Sequence, residues 1–223
     1  MKADLLRDVV KARNDRRAIA VVTQLSTGEQ HIVERADIGV DDPLDKAFRF
    51  DKSGVSATPD GEAFVTVLNP PLRLVIIGAV QLAQSVIPMA DAAGYDVTVI
   101  DPRGAFATGA RFPDITLYAD WPEDVLPRLK LDARTAILLL THDPKIDDPA
   151  LQLALTSDVF YIGALGSKKT QAARMERMLA AGFDQGALKR IHGPIGLPIG
   201  AVGAAEIAIS IMAEMTQRLR LGY

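Results

Sequence analysis

Beyond residue 71 the chain alternates short apolar runs with amphipathic stretches of helical period. Residues 72–77, 97–101, 115–119, 135–140 and 159–162 read as five strands. The segments between them read as helices, including 122–129, one opened by Asp148-Pro149, and 167–181; a last helix covers 204–219. Apolar runs of this kind need cover on both faces, and crossover helices supply it only if the strands are parallel. Right-handed crossovers then give an α/β fold, a doubly wound, Rossmann-like parallel sheet.

Residues 1–69 have a different rhythm. Leu5, Leu6, Val9 and Val10 predict an amphipathic helix over 2–14, and 18–23 with 30–34 predict a hairpin around Gly28. Asp42-Pro43 opens a short helix, Pro43 being suited to a first helical position. Two more strands, 54–57 and 63–68, flank the Pro59-Asp60-Gly61 turn. This is a small α+β domain, separated by Asn69-Pro70-Pro71 from a second domain over 70–223.

Composition narrows the functions open to such a fold. The 223 residues include no cysteine, which excludes a thiol nucleophile, a thiolate metal ligand and an iron–sulfur cluster within the chain. A net charge of −3 provides no global basic field for nucleic acid. No uninterrupted apolar run approaches the ~18 residues of a membrane span, and the charged start has no secretory apolar region. The expectation is a cytoplasmic protein.

Two glycine turns carry candidate chemistry. Gly78-Ala79-Val80-Gln81-Leu82-Ala83 follows the first strand of the larger domain, and Asp101 ends the second, 23 residues beyond Gly78. This is the layout of a dinucleotide turn with its middle glycine replaced by Val80, whose side chain obstructs close approach of a pyrophosphate. Asp101 either accepts from a cofactor hydroxyl or serves the strand exit. The second turn, Gly163-Ala164-Leu165-Gly166-Ser167-Lys168-Lys169-Thr170, lies at another strand-to-helix junction. Ser167 is a natural N-cap, and free amides, the helix dipole and Lys168 with Lys169 would attract an anion. Arg174 and Arg177 extend the positive character. Thr141-His142-Asp143 follows the fourth strand, with Asp147 or Asp148 expected to cap the next helix. No His-x₃-His pair or comparable ligand set accompanies His142, so no metal site is assigned. An apolar loop, 191–200, leads to Gly203 and a capping-box Glu206.

Taken together, Asp101-Pro102-Arg103, Phe106-Ala107-Thr108, Arg111-Phe112-Pro113, Thr141-His142-Asp143, residues 161–170, residues 191–201 and Glu206-Ile207-Ala208 resemble the Rossmann domain of the xanthine dehydrogenase accessory, or XdhC/CoxI, family. The resemblance runs over residues 72–215. It implies a maturation factor that binds the molybdenum cofactor, as molybdopterin or its dinucleotide form, and inserts it into an apo molybdenum hydroxylase of the xanthine dehydrogenase or carbon monoxide dehydrogenase type. A sulfurtransferase is an implied partner, and the small domain is expected to contact the client or a second copy in a homodimer. Gly163, Gly166, Ser167, Lys168 and Lys169 are assigned to the cofactor phosphate, and His142, Asp143 and Asp101 to its polar end, with Gly78 making the tight turn. No catalytic residue is assigned. Two departures stand out: many members have Gly-Ala-Gly-His where this chain has Gly78-Ala79-Val80-Gln81, and several have a glycine-cysteine-rich segment that residues 1–69 lack. The alternative is an NAD(P)-dependent oxidoreductase using His142 as acid/base.

Overall fold

The computed structural model describes residues 3–39 and 41–222. The chain divides into two compact units, Met1–Pro70 and Pro71–Tyr223. In the first, α1 (Ala3–Asn14) precedes β1 (Ile19–Gln24) and β2 (Gln30–Glu34); a 3₁₀ turn (Arg35–Asp37) then leads to α2 (Pro43–Arg49), β3 (Gly54–Thr58) and β4 (Gly61–Leu68). Lys2, the first residue of the expected helix, lies outside the described residues. The antiparallel sheet has the order β2-β1-β4-β3. Strand alternation puts Ala20, Val22, Ala63 and Val65 on one face, where Leu44 and Phe48 of α2 cover them. Asp42 caps α2 by accepting from the Leu44 amide at 2.8 Å, and Pro43 takes the first helical position. A hollow of about 540 Å³ lies between the start of α2 and the Pro59 turn, and none of the predicted site residues lines it.

The second unit runs β5 (Leu72–Ile77), α3 (Gln81–Ala92), β6 (Tyr95–Ile100), β7 (Thr116–Tyr118), α4 (Pro122–Leu129), β8 (Thr135–Leu139), α5 (Pro144–Leu155), β9 (Tyr161–Ala164), α6 (Lys168–Ala180), α7 (Gln185–Leu188), β10 (Ile191–His192) and α8 (Ala204–Leu221). All pairings are parallel and the order is β10-β9-β8-β5-β6-β7. Each strand divides its side chains between two cores. Leu74, Ile76, Leu138 and Tyr161 pack with α3 and α8, whereas Val75, Ile77, Leu139 and Ile162 pack with α4, α5 and α6. Burial on both faces explains the uninterrupted apolar runs. The chain reverses its winding between β5 and β8, so the loops leaving these two strands flank the crevice where such sheets bind ligands. Among the described residues no helix is long and apolar enough to cross a membrane.

Two expectations need correction. Helix α5 starts at Pro144, not at Asp148-Pro149. Both Asp-Pro pairs suit a helix entry, but His142 adopts a left-handed backbone (φ 62°) that turns the chain early. Asp143 then caps by accepting from the Lys145 amide at 3.0 Å, and Pro149 falls inside the helix. Residues 191–200 are not wholly a loop either: Ile191 and His192 pair with β9 as a sixth strand. A two-residue strand stopped by Gly193-Pro194 has no periodicity to read.

Candidate functional site

The first glycine turn is closed by its own neighbours. Gly78 has φ 117°, and a Cβ there would sit 2.8 Å from Thr141 Cγ2 and 3.2 Å from the Thr141 nitrogen. Only glycine allows both this conformation and this approach. Asp101, fully buried, accepts from the Ala79 amide (2.8 Å), from the Arg103 amide (2.9 Å), and from Arg103 Nε (2.9 Å) and Nη2 (2.8 Å). A carboxylate has about four acceptor positions, and these bonds take them all. Burial alone would raise the Asp101 pKa; the Arg103 and Ala79 bonds outweigh it and hold the group below its ordinary value. Asp101 therefore braces the Gly78 turn against the end of β6 and has no acceptor left for a cofactor hydroxyl. Arg111 adds a second brace, donating from Nη1 to the carbonyls of Ala79 and Phe106, both at 2.9 Å. The Phe106 ring is approached by the guanidiniums of both Arg103 and Arg111, whose central carbons stand 4.6 and 5.8 Å from its centre.

Next along the sheet edge, His142 is exposed and Asp143 is occupied as the α5 cap. Beneath them Thr141 donates to Asp147 Oδ1 at 2.6 Å, and Asp147 Oδ2 stands 3.9 Å from Arg174 Nη2. Arg174 is almost fully buried and donates to Gln171 Oε1 (2.6 Å) and to the Leu165 carbonyl (3.0 Å). This polar chain joins the loops after β8 and β9 beneath the surface. Burial raises the Asp147 pKa, with the Thr141 hydroxyl and Arg174 charge only partly offsetting it. Arg177 is committed as well, in a two-pronged pair with Asp148 at 2.5 and 2.9 Å. The positive character expected from Arg174 and Arg177 is thus neutralised within the protein.

The second turn is open. Ser167 caps α6, its hydroxyl accepting from the Thr170 amide at 3.2 Å. Gly166 has φ 146°, and a Cβ there would meet Thr170 at 3.0 Å. Ser167, Lys168 and Lys169 are exposed, and the amides of Lys168 and Lys169 occupy the first two helical positions, where α-helices leave donors unpaired. Gly163, assigned to the phosphate, lies instead within β9 and is buried. Its missing side chain makes room for Ile195 Cδ1 and Tyr161 Cε1, which would stand 2.5 and 2.6 Å from a Cβ.

Sequence analysis singled out the 191–200 loop but not what it forms beside this turn. A groove of about 650 Å³ runs from Leu165 and Lys168 along residues 192–201 to Ile207, Ser210 and Glu214 of α8. Its walls are mainly apolar. At its base the His192 ring stacks on Tyr161, with centroids 4.7 Å apart, and its Nδ1 lies 3.0 Å from Glu214 Oε1. His192 and Glu214 are 22 residues apart and meet only through β10 and α8. Beside the loop that contains His192, the local signal for its partner was an acid, Glu214, inside the otherwise apolar stretch Ile211-Met212-Ala213-Glu214-Met215.

The sheet edge thus presents one closed turn and one open turn with an adjoining groove. Comparison with known proteins places the chain as a whole. The chain is 32% identical over 158 residues to a Bacillus subtilis protein whose name describes it as a probable subunit of xanthine dehydrogenase, covering 69% of this chain and 45% of that one. It is 30% identical over 152 residues to the molybdenum cofactor insertion chaperone PaoD of Escherichia coli, covering 68% and 42% respectively. It therefore spans less than half the length of these relatives. A crystal structure described as a xanthine dehydrogenase from Bacillus halodurans superposes with a TM-score of 0.68 at 26% identity, covering 98% of this chain and 64% of that one. Residues 74–215, well over half of the chain, match the XdhC Rossmann domain, and the chain belongs to the XdhC family.

Proposed function

We propose that this chain binds a molybdenum cofactor and inserts it into an apo molybdenum hydroxylase of the xanthine dehydrogenase or carbon monoxide dehydrogenase type. The observation that carries this reading is the position of Lys168, which is both the first residue of α6 and part of the groove wall. An anionic tail, as a phosphate or a dinucleotide pyrophosphate, finds amides, dipole and ammonium groups at the helix end. A planar pterin finds apolar walls beside it. The similarity to a relative named as an insertion chaperone supports the same reading.

With no cysteine in its sequence, this chain has no thiolate to ligate molybdenum or to carry sulfur, so sulfur chemistry falls to a sulfurtransferase partner. In this reading the protein works in the cytoplasm, without turnover of its own. Residues 1–69 are the part we assign to contact with the client or with a second copy. The NAD(P)-dependent oxidoreductase reading has less support: Asp101 is saturated within the chain, and Val80 stands where the middle glycine would be.

Anaerobic titration of the purified protein with molybdenum cofactor tests the proposal. Saturable binding is expected, and replacing Lys168 and Lys169 together by alanine should weaken it about tenfold or more, through lost charge-assisted contacts. Absence of saturable binding to the unaltered protein would overturn the reading.

A further inference from the structure

Glu214 receives three donors. The Tyr161 hydroxyl and the Gly196 amide (2.8 Å) both reach Oε2, and His192 Nδ1 reaches Oε1. Burial pushes the Tyr161 phenol well above its ordinary pKa, and the bond and charge of Glu214 push the same way, so the hydroxyl keeps its proton and donates. Glu214 moves oppositely. Burial opposes its ionisation, but the bonds from His192, Tyr161 and Gly196 outweigh that and hold it below the ordinary glutamate value. An ionised carboxylate only accepts, so Nδ1 carries a proton, and whenever the ring holds that one proton alone Nε2 is left as an acceptor. Among the described residues Nε2 has no hydrogen-bond partner. The Tyr161 ring fixes the plane of the imidazole and the carboxylate fixes its rotation.

His192 lines an apolar groove while its Nε2 keeps no partner among the described residues, an arrangement that a purely structural role does not require. His192 lines that groove together with Lys168, and Leu165, Ile195 and Leu197 supply apolar wall. A heterocycle whose faces are planar and whose edge carries N–H donors matches this combination. A pterin has both, in its exocyclic amino group and its ring N–H.

Resting on the cargo reading above, we propose that the pterin end of the bound cofactor occupies the groove, with an edge N–H donating to His192 Nε2. Glu214 is the positioning residue that sets the tautomer and plane of the imidazole. The cofactor then lies in one direction only, ring against His192 and anionic tail against the start of α6.

The chain has three histidines, so ring-nitrogen NMR of ¹⁵N-histidine-labelled protein can follow His192 directly. The free protein should have His192 protonated at Nδ1. Adding 6-hydroxymethylpterin should move its Nε2 resonance, whereas inorganic pyrophosphate should leave it in place. Glu214→Gln should mix the tautomers in the free protein, which loss of a merely structural contact would not do. His192→Ala should weaken molybdenum cofactor binding about tenfold, the worth of one good hydrogen bond, while pyrophosphate still competes. If the unaltered protein binds the cofactor but neither pterin nor cofactor moves the His192 signals, the placement is overturned and the cargo reading survives. If the unaltered protein binds no cofactor, both fall.

Discussion

The two glycine turns of the larger unit leave the same edge of the same sheet, yet one is filled by the protein and the other is not. At the Gly78 turn the nearest carboxylate and two arginines have turned inward: Asp101 holds the Ala79 amide and Arg103, while Arg111 holds the Ala79 carbonyl. At the Gly166 turn the cap is a single hydroxyl, and the two lysines that follow remain exposed. Closeness to a nucleotide-binding pattern therefore does not tell which turn has been left open. What decides is whether polar groups at the turn already have partners, because a saturated donor or acceptor must lose a bond before it can bind anything.

The sharpest way to break this comparison is to open the closed turn. Asp101→Ala leaves the Ala79 amide without its acceptor and frees Arg103, about a third exposed, to turn to solvent, and it should cost about 3 kcal/mol in urea denaturation. The pH dependence separates Asp101 from its neighbour Asp147. A carboxyl whose pKa is lowered on folding adds stability above its unfolded value near 4, lost as pH falls through the folded value. Asp147, raised by burial, does the reverse: its contribution is greatest in acid and declines as pH rises from about 4 through the folded value. Asp101→Asn should flatten the acid limb of the stability curve. Asp147→Asn should remove a loss on the way to neutrality.

A smaller effect compares the glycines. Gly78→Ala forces a side chain against Thr141, backbone included, whereas Gly166→Ala meets only the side chain of Thr170. Both place alanine at positive φ. The first should cost about 2–3 kcal/mol and the second about 1 kcal/mol, measured by the same denaturation. Equal costs would mean that the loop after β8 gives way as readily as a rotamer.

Much of this architecture was legible because burial on both faces of a parallel sheet leaves unbroken apolar runs, and Leu72–Ile77 and Thr135–Leu139 could be read as strands for that reason. The Ser167 cap was legible because an N-cap is a local matter of one hydroxyl and the amide three residues on. Gly163 could not be placed from sequence, because a glycine that makes room for Ile195 looks the same there as one that makes room for a phosphate. Asp101 stayed ambiguous for a related reason: its spacing from Gly78 suits a ribose acceptor as well as a strand exit, and its saturation by Arg103 depends on a rotamer. The His192, Tyr161 and Glu214 cluster was out of reach, since its members come from β10, β9 and α8 and the shortest of those strands has two residues.

The smallest expected effect bears directly on whether the second turn is open. Ammonium groups at a helix N-terminus oppose the dipole, so in the unligated protein Lys168 and Lys169 are slightly unfavourable where they stand. Replacing both by alanine should raise the melting temperature by about 1–2 °C at low salt, and screening should erase the gain near 1 M salt. On the proposed function the same substitution should weaken cofactor binding, so stability and affinity should move in opposite directions. That opposition distinguishes an unfilled anion site from a solvated helix end, at which the substitution would raise stability and leave binding unchanged. At the Gly78 turn no such opposition is available, because the charges there already hold the fold together.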